Sequence, residues 1–520
     1  MAAEPITLAG LIEVMADTIP DRIAIFTMEH QYSFAEIDER STRLANHLIG
    51  LGIKPGDHVA VHSHNRIEWV DAFYGVMKAR AVPINVNYKY LHNELEYLYG
   101  NAEVVASIVD PDYLELAQGA ANPELKHWLV MGEEYDAALA AASTERPGGY
   151  SSDDHYIIYT GGTTGNPKGV VWRQEDLIRG ALNASRFGAP FETLGDLATE
   201  TAANENPMTL LACGPMMHGG SQWIMGNGHV SGATVCFYTE RNFDAAKILD
   251  LVEKGGVVSL TFLGDAMGRP VAEAILAEPD RWDLSSLAAV SNGAAPLTEG
   301  VREEIRRALP GRFILDSYGA SESGATGMRM DDGSGEEIGF GASPDVEVFD
   351  ADWKPAAVGV DGMLGRSGPI PLRYHNDPVK SANTFKEIDG KRWSIPGDFA
   401  RRREDGTITL LGRGSVCINT GGEKVYPEEV EAMLLQHPEV FDAAVVGTPH
   451  ERWGQQVTAL VSRREGSQVS EDQLSEWAHG QISNYKVPKR FLFVDAVPRT
   501  PVSKVDYPGS TARAKEILGL

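Results

Sequence analysis

The stretch Tyr159-Thr160-Gly161-Gly162-Thr163-Thr164-Gly165-Asn166-Pro167-Lys168-Gly169 is a glycine- and threonine-rich loop closed by a lysine, the equipment needed to hold a polyphosphate. The glycines permit close backbone approach and positive φ, the threonine hydroxyls donate, and Lys168 supplies a point charge. Pro167 stiffens the end of the loop and biases Asn166 away from helix. Lys168 is followed by Gly169 rather than Ser or Thr, so the stretch is not a Walker A loop. His155-Tyr156-Ile157-Ile158-Tyr159 before it and Val170-Val171-Trp172 after it both read as strand, so the loop does not open a helix. Taken alone, these residues fit a plain long hairpin turn equally well.

The 520 residues exceed what one hydrophobic core usually supports, so two or more domains are expected. Apolar residues make up 43% and charged residues 23%, which excludes a disordered or fibrous chain. With 46 basic and 73 acidic residues the formal charge is −27, a field that repels nucleic acid and anionic lipid. A nucleotide must then be attracted locally, by a few placed cations and backbone amides.

Cys213, Cys236 and Cys417 form no CxxC and no metal-ligand spacing, which suits a reducing cytoplasm. Cys213 follows Leu210-Leu211-Ala212, so buried packing is favoured over a nucleophilic role. No basic segment precedes an apolar one at the start, and no apolar run is long enough to span a bilayer. Ile517-Leu518-Gly519-Leu520 carries no targeting or prenyl signal. No integral membrane association and a cytoplasmic location are expected.

Residues 8–150 alternate helical patterns (Leu8–Thr18, Phe34–Leu51, Trp69–Arg80) with short apolar strands such as 59–62 and Val104–Val109, an α/β rhythm. From 244 to 330 the rhythm becomes regular. A helix at Asp244–Lys254 precedes the strand Val257–Leu263 and the loop Gly264-Asp265-Ala266-Met267. The strand Leu287–Ser291 leads to the loop Asn292-Gly293-Ala294-Ala295-Pro296, and Thr298 caps a helix Glu299–Leu309. The strand Arg312–Ser317 then gives the loop Tyr318-Gly319-Ala320-Ser321-Glu322. These units predict a parallel sheet whose strand-end loops share the ligand-binding edge, with Tyr318 and Glu322 beside Gly293-Ala294-Ala295. Residues 343–412 turn to short alternating strands, a small antiparallel barrel or sheet, and Gly412-Arg413-Gly414-Ser415 follows as a hinge. Beyond it, Pro427 opens a helix, and strands near 441–447, 457–463 and 491–494 with a helix at 471–482 make a small α+β domain.

The phosphate loop, the Tyr318–Glu322 segment, Ile395-Pro396-Gly397-Asp398, Gly412-Arg413, Gly421-Gly422-Glu423-Lys424 and Lys504 occur in one fixed order. Together they resemble the adenylate-forming superfamily of acyl-CoA synthetases, adenylation domains and luciferases. Trp172-Arg173 with Glu175-Asp176, Gly264–Met267 with Arg269-Pro270, and the run 412–431 are similar to bacterial ligases for fatty acids or steroid side-chain acids. The resemblance implies an α/β fold with a large N-terminal adenylation body (1–413, including a small β-barrel) and a small mobile α+β C-terminal domain (414–520, hinge near 413–416).

It also implies the chemistry: a hydrophobic carboxylic acid is activated by ATP with Mg²⁺ to acyl-AMP, then transferred to CoA. Thr160, Gly161, Gly162, Thr163, Thr164, Gly165 and Lys168 would cradle phosphates, and Glu322 would hold the metal. Gly293, Ala294, Ala295, Asp316, Ser317, Tyr318, Gly319 and Ser321 would form the adenine slot, with Asp316 at the exocyclic amine. Asp398 and Arg413 would take the ribose, and Lys504 would be the adenylation lysine. Gly421, Gly422 and Lys424 would border the CoA tunnel. His218 would gate an acyl pocket formed with Gly219, Gly220, Trp223, Gly264, Asp265 and Gly293, although a lone histidine is often only a satisfied polar residue. Met216, Met217, Trp223 and Met225 point to an apolar lining and a bulky or long acid. An enzyme that loads a carrier protein, and a relative that binds nucleotide without chemistry, are the alternatives; a homodimer is kept open.

Overall fold

The computed structural model describes residues 5–160, 166–182, 191–293, 297, 299–331, 339–413, 418–425, 427–498 and 505–520. Thr7 starts the first helix, Leu8–Thr18, by accepting the Gly10 N–H on its side chain, and Ser33 with Glu36 forms a full capping box for Phe34–Gly50. Leu8, Leu11, Ile12 and Met15 recur at helical spacing and are buried against Phe34, Ile37 and Leu44.

Two large sheets form the body. In the first, the strands run in the order Arg373–Tyr374, Lys168–Arg173, His155–Thr160, Val82–Asn85, His58–His62, Val104–Val109 and His127–Val130. His155–Thr160 and Lys168–Arg173 pair antiparallel with Thr160 opposite Lys168, so the glycine–threonine loop does bridge two strands. On its other side the sheet is parallel. In the second sheet six neighbours are parallel: Phe313–Ala320, Ala289–Asn292, Ser259–Phe262, Thr209–Ala212, Thr234–Phe237 and Ile23–Phe26.

Two local readings are corrected. Gly264–Met267 is not a loop, because a helix runs from Asp265 to Ala277. Gly264 starts it at φ 71° and donates its N–H to Asn292 Oδ1, while Gly268 lies close against Leu297 and Val301. The interior Pro270 hides this helix from a sequence reading. The strand Phe313–Ala320 also continues past Ser317, so Tyr318 and Gly319 belong to a hairpin arm paired with Gly324–Asp331. The close approach requires glycine: a Cβ on Gly319 would sit 2.5 Å from the Gly324 carbonyl oxygen.

Residues 346–413 form an antiparallel sheet ordered Phe385–Ile388, Lys391–Ser394, Asp361–Arg366, Asp398–Arg402 and Ile408–Arg413, with Val346–Phe349 on Asp361–Arg366. The two end strands do not pair with each other among the described residues. Gly412 and Arg413 are the last residues of this sheet, opposite Phe399 and Asp398. The C-terminal region has its own sheet of Ile418–Thr420, Glu423–Val425, Gly454–Arg463, Val440–His450 and Arg490–Phe493, and its own core around Val425, Val430, Val445, Val457 and Phe491. Among the described residues no helix is long and apolar enough to cross a membrane.

Candidate active site

A cavity of about 140 Å³ lies where the carboxyl ends of strands from both large sheets meet the C-terminal sheet. Ile158, Tyr159 and Thr160 reach it from the strand that leads into the phosphate loop. Met217, His218, Gly219 and Gly220 reach it from the start of the helix Gly219–Val230, and Leu263 from the end of a parallel strand. Ser321 comes from the turn after Phe313–Ala320, and Gly422, Glu423 and Lys424 from the C-terminal hairpin. Asn85 ties two of these segments together. Its amide donates to the Tyr159 carbonyl at 2.9 Å and the Met217 carbonyl at 2.6 Å, and its oxygen accepts the Tyr159 N–H at 2.7 Å.

The C-terminal hairpin turns at Gly421 (φ 59°) and Gly422 (φ 85°), a left-handed pair open to glycine. A Cβ on Gly422 would lie 3.3 Å from Leu263 Cβ, so the hairpin tip seats directly on the cavity wall. Glu423 then faces two basic side chains, with Oε1 accepting Lys89 Nζ at 2.6 Å and Oε2 3.4 Å from His218 Nε2. Burial alone would raise this carboxyl, but His218 and Lys89 outweigh it and hold the group at about 2. Lys89 and Asn85 lie outside the motifs, and Glu423, inside the Gly421–Lys424 motif, has no role assigned there.

Several of the residues expected to hold the nucleotide are described. Lys168 Nζ stands 3.5 Å from Asp377 Oδ2. Glu322 is buried on the turn after Ala320, and its Oε1 accepts the Tyr374 hydroxyl at 2.8 Å. Gly293 adjoins the Ser317 carbonyl, 3.9 Å from where its Cβ would be. The Tyr318 ring packs beside Phe340 and the small sheet's core of Val346, Val348 and Leu364. Asp398 is buried and lies opposite Arg413 in register. Gly161, Gly162, Thr163, Thr164, Gly165, Ala294, Ala295, Lys504 and the side chains of Asp265 and Arg413 lie outside the described atoms.

Two of the expected site residues are engaged with other partners. The Asp316 carboxylate accepts Arg302 Nη2 at 2.5 Å, Arg329 Nε at 2.7 Å and Asn292 Nδ2 at 3.1 Å. A buried carboxylate takes whatever cations its neighbours present, and two guanidiniums satisfy it. Trp223 lies away from the cavity lining and meets Trp172 edge-on at 6.2 Å, while Met216 and Met225 are in the core. Of the methionines expected as lining, Met217 is the one at this wall. Cys213 and Cys236 are buried, and burial pushes the Cys236 thiol up to about 12 and Cys213 further in the same direction.

The strand ending at Thr160, the His218-Gly219-Gly220 segment and the glycine hairpin meet at one cavity, and the comparisons with known proteins give the family. The model of the AMP-binding enzyme family matches residues 12–373, and that of the AMP-binding enzyme C-terminal domain matches 429–504. The chain belongs to this family, within the adenylate-forming superfamily. It is 41% identical over 531 residues to 3-oxocholest-4-en-26-oate–CoA ligase of Rhodococcus rhodochrous, covering 96% of this chain and 95% of that one. It is 40% identical to the medium/long-chain-fatty-acid–CoA/3-oxocholest-4-en-26-oate–CoA ligase of Mycobacterium tuberculosis H37Rv, covering 97% and 95% of the two chains. Among solved structures, o-succinylbenzoate CoA synthetase from Bacillus subtilis shares the fold at a TM-score of 0.82 and 23% identity, over 97% of this chain and 98% of that one.

Proposed function

We propose that the chain is an ATP-dependent, AMP-forming acyl-CoA ligase whose acid is hydrophobic, of the medium- or long-chain fatty or steroid side-chain class. The carrying observation is the cavity itself, where the strand into the phosphate loop, the His218-Gly219-Gly220 wall and the Gly422 hairpin meet. The two relatives named above, both CoA ligases for such acids, support the substrate class.

In the first half-reaction the acid carboxylate attacks the α-phosphorus and pyrophosphate leaves. Thr160, Thr163, Thr164 and Lys168 hold the β- and γ-phosphates, and Asp398 accepts the ribose hydroxyls. Lys504 places its ammonium where negative charge grows on phosphorus and on the leaving group, so it favours the transition state over the ground state. Glu322, a buried hard-oxygen donor fixed by Tyr374, fits Mg²⁺, which binds through one or two carboxylates and substrate phosphates. Bound there, the ion would neutralise phosphate charge.

In the second half-reaction the CoA sulfur attacks the acyl carbon and AMP leaves. A narrow pantetheine arm needs backbone without side chains beside it, which Gly421 and Gly422 supply. The described arrangement, with Gly422 against Leu263 and Glu423 beside His218, fits this half of the cycle. Adenylation then requires the C-terminal domain to turn and bring Lys504 to the phosphates.

The test is product analysis with ATP, Mg²⁺, a panel of acids from butyrate through palmitate to steroid side-chain acids, and either CoA or a carrier protein as acceptor. Acid-dependent pyrophosphate release with an acyl-CoA product supports the reading. Transfer only to a carrier protein, or no pyrophosphate with any acid, contradicts it.

A further inference from the structure

The turn that opens the helix His92–Asn101 makes a second, separate contact with the C-terminal region. Glu94 Oε1 accepts Lys486 Nζ at 2.7 Å, and Glu94 Oε2 accepts the Ser483 hydroxyl. The same Oε2 accepts the Leu91 N–H at 2.9 Å, which caps the helix. The Glu94 and Lys486 side chains are only 9% and 5% exposed. Lys486 has another partner on its own side of the boundary, Glu429 Oε1 at 2.6 Å, in the helix Pro427–Leu434. The ammonium also lies 5.7 Å and 5.6 Å from the rings of Tyr90 and Tyr485, both of which line the cavity.

We infer that Glu94 is a positioning residue for the thioester half-reaction, the seat against which Lys486 and Ser483 hold the C-terminal domain while Gly422 lies at the cavity. The inference rests on the ligase reading above. Lys486 and Glu429 belong to the same domain, so their pair survives a rotation of that domain. The Glu94 contacts are the ones that cross and must break. When they break, Glu94 meets water and keeps its Leu91 N–H, while Lys486 keeps Glu429. Neither orientation then leaves a bare buried charge, the condition that makes a lost ion pair costly. The contact is therefore suited to forming and breaking once per turnover. Tyr90 and Tyr485 join it to the cavity wall, so docking of Lys486 and placement of the hairpin tip are one event.

The test measures the two half-reactions separately: acid-dependent pyrophosphate release, and conversion of a supplied acyl-adenylate with CoA. Glu94→Gln retains an oxygen for the Leu91 N–H and so preserves the helix start. It should slow the thioester step about tenfold, the worth of one charged hydrogen bond, while pyrophosphate release is unchanged or faster. Glu94→Asp should recover part of the loss, and Ser483→Ala should shift the same ratio by less. An equal fall in both half-reactions, or no change in either, overturns the inference. If Glu94→Gln does not fold, Ser483→Ala decides alone by the same criterion. Wild-type protein that completes neither half-reaction sinks the ligase reading instead.

Discussion

Glu423 Oε2 lies 3.4 Å from His218 Nε2 while Glu423 Oε1 binds Lys89, so one carboxylate of the C-terminal sheet grips two segments of the larger body. It fixes the hairpin tip and His218 relative to each other.

This carboxyl is held at about 2, below its ordinary 4.5, so it stabilises the folded chain above the usual carboxylate range and loses that contribution as pH falls from about 4.5 to about 2. Glu423→Gln should therefore have a lower urea midpoint than wild type near about pH 6, with the gap narrowing near about pH 3. A gap that does not change with pH would contradict the assignment.

Gly422→Val places a branched side chain at φ 85° and against Leu263. A left-handed conformation costs a non-glycine residue about 1–2 kcal/mol, so the thioester step should slow by about tenfold or more. Pyrophosphate release, which does not use this tip, should hold. Stopped-flow measurement of each half-reaction checks it.

Tyr374→Phe removes the hydroxyl that fixes Glu322. A hydrogen bond to a charged group is worth about 1.5–3 kcal/mol, so the Mg²⁺ concentration for half-maximal pyrophosphate release should rise by about tenfold, with a smaller change in kcat. An unchanged Mg²⁺ requirement would remove Glu322 from the metal site.

A side chain on Gly220 would point into open space, with no atom within 4 Å of its Cβ, whereas one on Gly219 meets Ile158 Cγ1 at 3.3 Å. Gly220→Leu should fold normally and shift preference toward shorter acids. Identical kcat/KM ratios across the acid panel would take this wall out of the acyl pocket.

Much of the fold was legible because its elements obey local periodicity. Leu8–Thr18 and Val104–Val109 match the sequence reading residue for residue, and the Thr160–Lys168 pairing follows from the strand character on both sides of the loop. The failures are tertiary. Lys89 and Glu423 are 334 residues apart, and nothing local marks Lys89 as a partner. Asp316 read as a free carboxylate because Arg302 and Arg329 reach it from a neighbouring helix and strand. Trp223 and Met225 looked like pocket lining by proximity to His218, but Met225 is in the core and Trp223 packs half-buried against it. The helix from Asp265 was hidden by the interior Pro270 and is held by packing of Gly268 against Leu297 and Val301.

The most direct test of the two-orientation ligase is Lys504→Ala, assayed for both half-reactions in one preparation. Losing a donor at the transition state costs about 2.7–4 kcal/mol, so acid-dependent pyrophosphate release should fall by about a hundredfold or more. Conversion of a supplied acyl-adenylate by CoA should continue at close to the wild-type rate. Equal loss of both steps, or retention of both, would contradict it.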